Sequence, residues 1–314
     1  MNYIKMSPIV GLSGFGGGAS APTFTYTEAA GGYQGDRGIL WGGYYSGANQ
    51  NRIEYISIST TGNSQDFGDM QVSTRVRGSG SNGSKAIAGG GGSPNKNEID
   101  KVTISTTGNS TDFGDLTASG QCQAVGDGTY CVWGGRAANN TLDYVTIATD
   151  GDASDFGDHT SVHNDGPGTT HDATRGCFLG GHGDGNSQTT IDYITVATPG
   201  NAADFGDMHD SGYSMSIGLA ANSTRGLVAG GNSRDGIEYI TLQSLGNGTD
   251  FGDMTTERNG SGATSDKDTG RACFCAGYSS TDIIDYVTIA NTGNATDFGD
   301  MIDDSWGYSG CSGD

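Results

Sequence analysis

The stretch "IDYVTIANTGNATDFGDM", residues 284–301, holds the pattern that decides the fold. Its Asp-Phe-Gly-Asp stands six times in the chain, at 66–69, 112–115, 155–158, 204–207, 250–253 and 297–300. Successive copies lie 46, 43, 49, 46 and 47 residues apart, a period that marks repeated supersecondary units. Thirteen residues before the first Asp of each motif sits Ile53, Ile99, Leu142, Ile191, Ile237 or Ile284, always followed by Asp or Glu. The apolar, β-branched run that begins there reads as a strand. A Gly-Asn or Gly-Asp pair, such as Gly62-Asn63 or Gly151-Asp152, makes the turn, and Asp-Phe-Gly-Asp opens the returning strand. The hairpin keeps one length in all six copies, so its register is fixed.

A second apolar run ending in small residues precedes the hairpins, as in "RGILWGG" (37–43), "YCVWGG" (130–135), "RGCFLGG" (175–181), "RGLVAGG" (225–231) and the divergent "RACFCAG" (271–277). The Ser-, Gly-, Thr- and Asn-rich stretch before each run has room for one weak strand and a turn. Each unit therefore carries four short antiparallel strands: a, b (ending in Gly-Gly), c ("IDYVTI") and d ("DFGD"). No segment shows helical periodicity with caps. Four strands per repeat point to an all-β, six-bladed β-propeller, because a ring removes the edges a linear array would expose. The ends fit closure. The tail "MIDDSWGYSGCSGD" (301–314) has the length of a strand a, and the first repeat begins at strand b. The expected organisation is a Gly-rich arm over residues 1–36 and a propeller over 37–314, its first blade completed by strands from both termini.

The run ending in Gly-Gly, the Tyr-bearing strand, the Gly/Asn turn and the aromatic on strand d resemble the kelch repeat. Phe67, Phe113, Phe156, Phe205, Phe251 and Phe298 stand where kelch has its last tryptophan. "SQDFGD" (64–69) and "STDFGD" (110–115) look like an incomplete Asp-box turn of sialidase-type propellers, without the closing tryptophan. More closely, the tandem hairpins over residues 37–301 are similar to arrays in virion structural and tail-associated proteins of marine bacteriophages. That resemblance implies a place on the tail or capsid surface of a particle. Residues 1–36 lie outside the repeat and are expected to be a docking arm for other virion proteins or further copies of the chain.

A structural role accounts for the repeated tetrapeptide. The phenylalanines wedge between blades. The first aspartates, Asp66, Asp112, Asp155, Asp204, Asp250 and Asp297, are expected to accept backbone N–H bonds in the tight c–d turn. The glycine permits a bulge or a positive φ. A second acidic column, Glu54, Asp100, Asp143, Asp192, Glu238 and Asp285, is expected to be a solvated face or a set of local turn partners, too dispersed to share one ion.

No catalytic constellation emerges, and the chain reads as non-enzymatic. The five histidines lie in the middle third. His159 and His163 are four apart in strand-and-loop sequence rather than on a helix, so their spacing argues against zinc. Cys122 and Cys131 flank "QAVGDGTY" (123–130) and read as buried thiols, a disulfide being the alternative. "DGDASDFGD" (150–158) begins like a calcium loop, but Asp155 stands where an EF-hand needs glycine. No cofactor is expected, and loop-bound calcium stays open. The net charge of −21 disfavours nucleic acid. No apolar run reaches the roughly 20 residues of a spanning helix, so membrane insertion is not expected. The b–c loops, by contrast, vary from five residues ("NSRDG", 232–236) to nine ("YYSGANQNR", 44–52). Trp41, Tyr44, Tyr45, Trp133, Tyr278 and Trp306 lie on or near these edges. They form a candidate surface for a host-surface glycan, since rings stack on pyranose faces. A free, lectin-like propeller is the alternative.

Overall fold

A computed structural model describes residues 35–136, 139–163, 166–172, 174–183, 186–209, 220–231, 234–278 and 281–313. The expected arm, residues 1–36, falls almost wholly outside the described residues. Asp36 itself already belongs to the first blade, where its carbonyl accepts Ile58 N–H at 2.8 Å.

Six four-stranded antiparallel sheets form a six-bladed β-propeller. Blade I comprises Ser309–Gly313 (a), Arg37–Trp41 (b), Arg52–Ser57 (c) and Gln65–Asp69 (d). Blade II comprises Gly78–Ser81, Lys85–Gly89, Glu98–Thr103 and Thr111–Asp115. Blade III comprises Gln123–Gly126, Tyr130–Gly134, Thr141–Thr146 and Ser154–Asp158. Blade IV comprises Gly168–His171, Arg175–Leu179, Thr190–Thr195 and Ala203–Asp207. Blade V comprises Ala220–Ala221, Arg225–Ala229, Arg234–Thr241 and Thr249–Arg258. Blade VI comprises Gly262–Asp266, Arg271–Gly277, Thr281–Thr288 and Thr296–Asp300. The ring closes as the sequence requires. The C-terminal strand pairs with the first strand b, from Arg37↔Gly313 to Trp41↔Ser309.

The a strands are built of small residues because they crowd the axis. A Cβ on Gly310 would lie 2.1 Å from the carbonyl oxygen of Ala263 on the neighbouring blade. Hydroxyls bridge these strands directly: Ser309 Oγ meets Ser79 Oγ at 2.5 Å, and Ser312 Oγ donates to Ser265 O at 2.7 Å. Cys122 and Cys131 are free, buried thiols, and the strand register sets Cys131 opposite Gly126 rather than opposite Cys122.

The tetrapeptide acts between blades. Every d strand carries a bulge; in blade I, Gly68 faces Ile53 while Asp66 faces Glu54, leaving Phe67 as the extra residue. The six phenylalanines are buried, and Phe67 packs against Ala86, Ala88, Val102 and Ile104 of blade II. Burying such a ring is worth on the order of 2–3 kcal/mol. The glycine lets the next blade's turn dock on the motif: Gly68 has φ +151°, and a Cβ there would lie 2.4 Å from Gly108 O. Gly108 N–H then donates to Phe67 O (2.7 Å), and Ser110 N–H to Asp69 O (2.8 Å). The first aspartates do not play the expected role. They are exposed, and their side chains make no hydrogen bond among the described residues. The turn's own Asx residue is the acceptor instead. Asn109 Oδ1 accepts Asp69 N–H at 3.0 Å, and Asp152, Asn201, Asn247, Asn294 and Asn63 repeat this bond at the other five interfaces. The interface between blades VI and I, where the two ends of the chain meet, thus uses the same bond as the other five.

Candidate functional site

The b–c loops and d–a connections open on one face of the ring, and two groups of side chains stand out there. The first is aromatic. Tyr44 lies on a two-residue strand, Tyr44–Tyr45, paired with Ala48–Asn49 in the b–c loop of blade I. Trp306 comes from the connection that closes the ring and is bridged to it, with Tyr44 N–H donating to Trp306 O at 2.7 Å. Their rings are 5.4 Å apart, and Tyr278 from blade VI meets Trp306 edge-on at 5.8 Å. Arg75, from the connection between blades I and II, places its guanidinium 4.4 Å from the Tyr44 ring and 4.5 Å from Trp306. Such cation–π contacts hold the rings in place, and Tyr44 and Trp306 stay partly exposed. Tyr278 remains 57% exposed and Tyr45 38%.

Two of the six candidate aromatics are elsewhere. Trp41 and Trp133 are fully buried. They sit at the end of strand b, whose side chains face neighbouring blades rather than solvent, and Trp133 Nε1 donates to Gly78 O at 2.8 Å. Trp41, Trp133 and the six motif phenylalanines therefore serve the core. Tyr44, Tyr278 and Trp306 come together at the surface, and Tyr45 stands exposed beside them with no ring contact among the described residues.

The second group is the acidic column, and here the expectation of a solvated face is overturned. Glu54, Asp100, Asp143, Asp192, Glu238 and Asp285 are all buried. Each meets the segment just after the preceding blade's Asp-Phe-Gly-Asp. Thr117 N–H and Oγ1–H bind Asp143 at 3.0 and 2.7 Å, and Thr255 does the same for Asp285 at 3.1 and 2.7 Å. His209 N–H reaches Glu238 at 2.9 Å, and Ile302 N–H reaches Glu54 at 3.1 Å. A buried carboxylate also needs a positive partner. Arg77 pairs with Asp100, Arg136 with Asp143 at 2.5 Å, and Arg258 with Asp285 at 2.5 Å. Glu54 accepts the Tyr308 hydroxyl at 2.8 Å and lies 3.8 Å from Arg52.

Blade IV departs from this scheme. Asp192 Oδ2 faces His159 Nδ1 at 3.2 Å and His163 Nε2 at 3.1 Å, with all three side chains at 0% exposure. Thr160 donates to the carboxylate from N–H (2.9 Å) and Oγ1 (2.5 Å). His163 Nδ1 lies 2.6 Å from Gly180 O, while His159 Nε2 has no partner. The two ring centroids lie 4.8 Å apart, with the ring planes tilted by 52°. Burial pulls the His159 imidazole down to about 4, below its usual value. Burial opposes ionisation of Asp192, but the bonds from His159, His163 and Thr160 more than offset it and hold the carboxyl below its ordinary range.

Four-residue spacing thus does bring two histidines together without a helix. The chain bends as it leaves blade III, and both rings turn toward strand c of blade IV. The signal was present as a column. Met70, Leu116, Met208, Met254 and Met301 follow the other motifs, and only His159 breaks that apolar series. Comparison with protein-family models finds no match for the chain, and comparison with curated proteins finds none either.

Proposed function

We propose that this propeller is a non-enzymatic component of a phage particle, held on its tail or capsid surface, whose loop face contacts glycans of the host. Residues 1–36 would supply the anchor to other virion proteins or to further copies. The aromatic group at the closure point carries the glycan part of this reading: Tyr278 offers an exposed ring whose edge meets Trp306, which in turn packs against Tyr44 and Arg75. Such a platform binds the apolar face of a sugar ring, and neighbouring polar groups meet its hydroxyls. The repeat hairpin's similarity to phage virion arrays supports the location. The acidic surface suits a particle exterior and repels phosphate backbones.

A glycan array with the purified chain tests the binding. The expected result is saturable binding to a restricted set of glycans, weakened about tenfold by Tyr278→Ala, the loss of roughly 1.4 kcal/mol of stacking. Binding that ignores Tyr278→Ala, or none at all, removes the glycan role. Mass spectrometry of purified particles tests the location, since a chain that is never a constituent is instead a free carbohydrate-binding propeller.

A further inference from the structure

We infer that His159, His163 and Asp192 form a buried site for one divalent transition-metal ion of the zinc class. Three observations converge on it. First, the ligand atoms already stand together: His159 Nδ1, His163 Nε2 and a carboxylate oxygen of Asp192 all lie within 4.8 Å of one another. Two of the three edges are 3.1 and 3.2 Å, close to the separation of ligands about a tetrahedral zinc with bonds near 2.0–2.1 Å. Second, two of the three ligands, His163 and Asp192, carry the outer contacts of a ligand set. The other nitrogen of His163 is fixed on a backbone carbonyl, Gly180 O, and Thr160 holds both oxygens of Asp192. A metal-ligating imidazole ordinarily donates its second N–H in this way, which sets the tautomer and aims the free lone pair inward.

Third, the rest of the ring shows what is missing. The equivalent carboxylates of blades II, III and VI each receive an arginine. His163 occupies the place of Arg258, five residues after the last Asp of the preceding motif, and His159 occupies that of Met254. Imidazole carries no fixed charge. A bound dication supplies the positive charge that arginine supplies elsewhere and employs both imidazoles at once. The ion ties the end of blade III to strand c of blade IV, as Arg77–Asp100 does between blades I and II and Arg258–Asp285 between blades V and VI.

Because the three side chains are fully buried, the ion enters during folding or local opening. The full-length chain is therefore refolded from urea with one equivalent of Zn²⁺ or Co²⁺, freed of excess metal, and assayed for bound metal. The expected result is one ion per chain, a visible Co²⁺ spectrum of low coordination number, and X-ray absorption showing two imidazole nitrogens at zinc. The double variant His159→Met/His163→Arg rebuilds the blade VI pattern. It should fold without metal and bind none. Asp192→Asn, which keeps the shape, should weaken Zn²⁺ at least 100-fold, and His209→Ala should leave the stoichiometry unchanged. A wild-type chain that refolds equally well without metal and retains none, or metal that survives in the double variant or lacks two imidazole ligands, overturns the site.

Discussion

Gly114→Ala probes the contact that fixes one blade to the next. Gly114 has φ +149°, and a Cβ there would stand 2.4 Å from the carbonyl oxygen of Gly151 and 2.5 Å from its carbon. Ordinary contact begins near 3.4 Å, so the turn of blade III must retreat by about 1 Å. That retreat loosens three bonds: Gly151 N–H to Phe113 O (2.8 Å), Ala153 N–H to Asp115 O (2.8 Å) and Asp115 N–H to Asp152 Oδ1 (3.1 Å). At about 1 kcal/mol each, with 1–2 kcal/mol for placing alanine at positive φ, the cost is about 4–5 kcal/mol. Gly151→Ala is the matched control. Its φ is +155°, yet nothing lies within 4 Å of an added Cβ, so only the backbone term of about 1–2 kcal/mol remains. Thermal unfolding followed by circular dichroism reads the difference. At about 2 °C per kcal/mol for a chain of this size, Gly114→Ala should melt some 6 °C below Gly151→Ala. Equal melting temperatures for the two variants would refute the claim that the motif glycine exists to seat the neighbouring turn.

Two further outcomes follow from buried charge. Arg258→Ala leaves Asp285 buried with Thr255 as its remaining partner, and should cost about 3–5 kcal/mol in urea unfolding; a loss below about 1 kcal/mol would mean that Asp285 needs no cation. His171 is buried with Nδ1 unpartnered, and burial lowers its value from 6.5 to about 4. The folded state therefore refuses a proton that the unfolded state accepts. This contribution to stability is whole above pH 6.5 and is lost as pH falls toward 4, by about 3 kcal/mol. His171→Ser, which copies Ser81 of blade II, should flatten that part of a stability-versus-pH curve; an unchanged slope would place the titration elsewhere.

The regular parts of this protein were legible because they are local or periodic. The b run, the c–d hairpin and the turn pair recur at fixed offsets, so their strands and register follow from alternation and turn chemistry. Closure followed from counting, since a tail with the length of one strand matches a first repeat that lacks one. Trp41 and Trp133 were misplaced because proximity to a loop says nothing about which side of strand b a ring takes. Asp66 and its equivalents were given a bond that belongs to Asn109 and its equivalents, because the acceptor's partner lies on the adjacent blade. Neither error is visible within one repeat.

The sequence by itself determined a six-membered ring of four-stranded sheets, its closure by both chain ends and the burial of six phenylalanines. Only the tertiary structure decided that the column from Glu54 to Asp285 is buried, that Asp100, Asp143 and Asp285 each take an arginine, and that His159 and His163 meet at Asp192. The reason is physical. Periodicity assigns a side chain to a face of its strand, but the energy of a buried carboxylate depends on what crosses the gap between blades. Arg77, Arg258 and His163 reach their carboxylates from the preceding blade's side and Arg136 from Asp143's own blade, so the repeat does not dictate where the partner comes from.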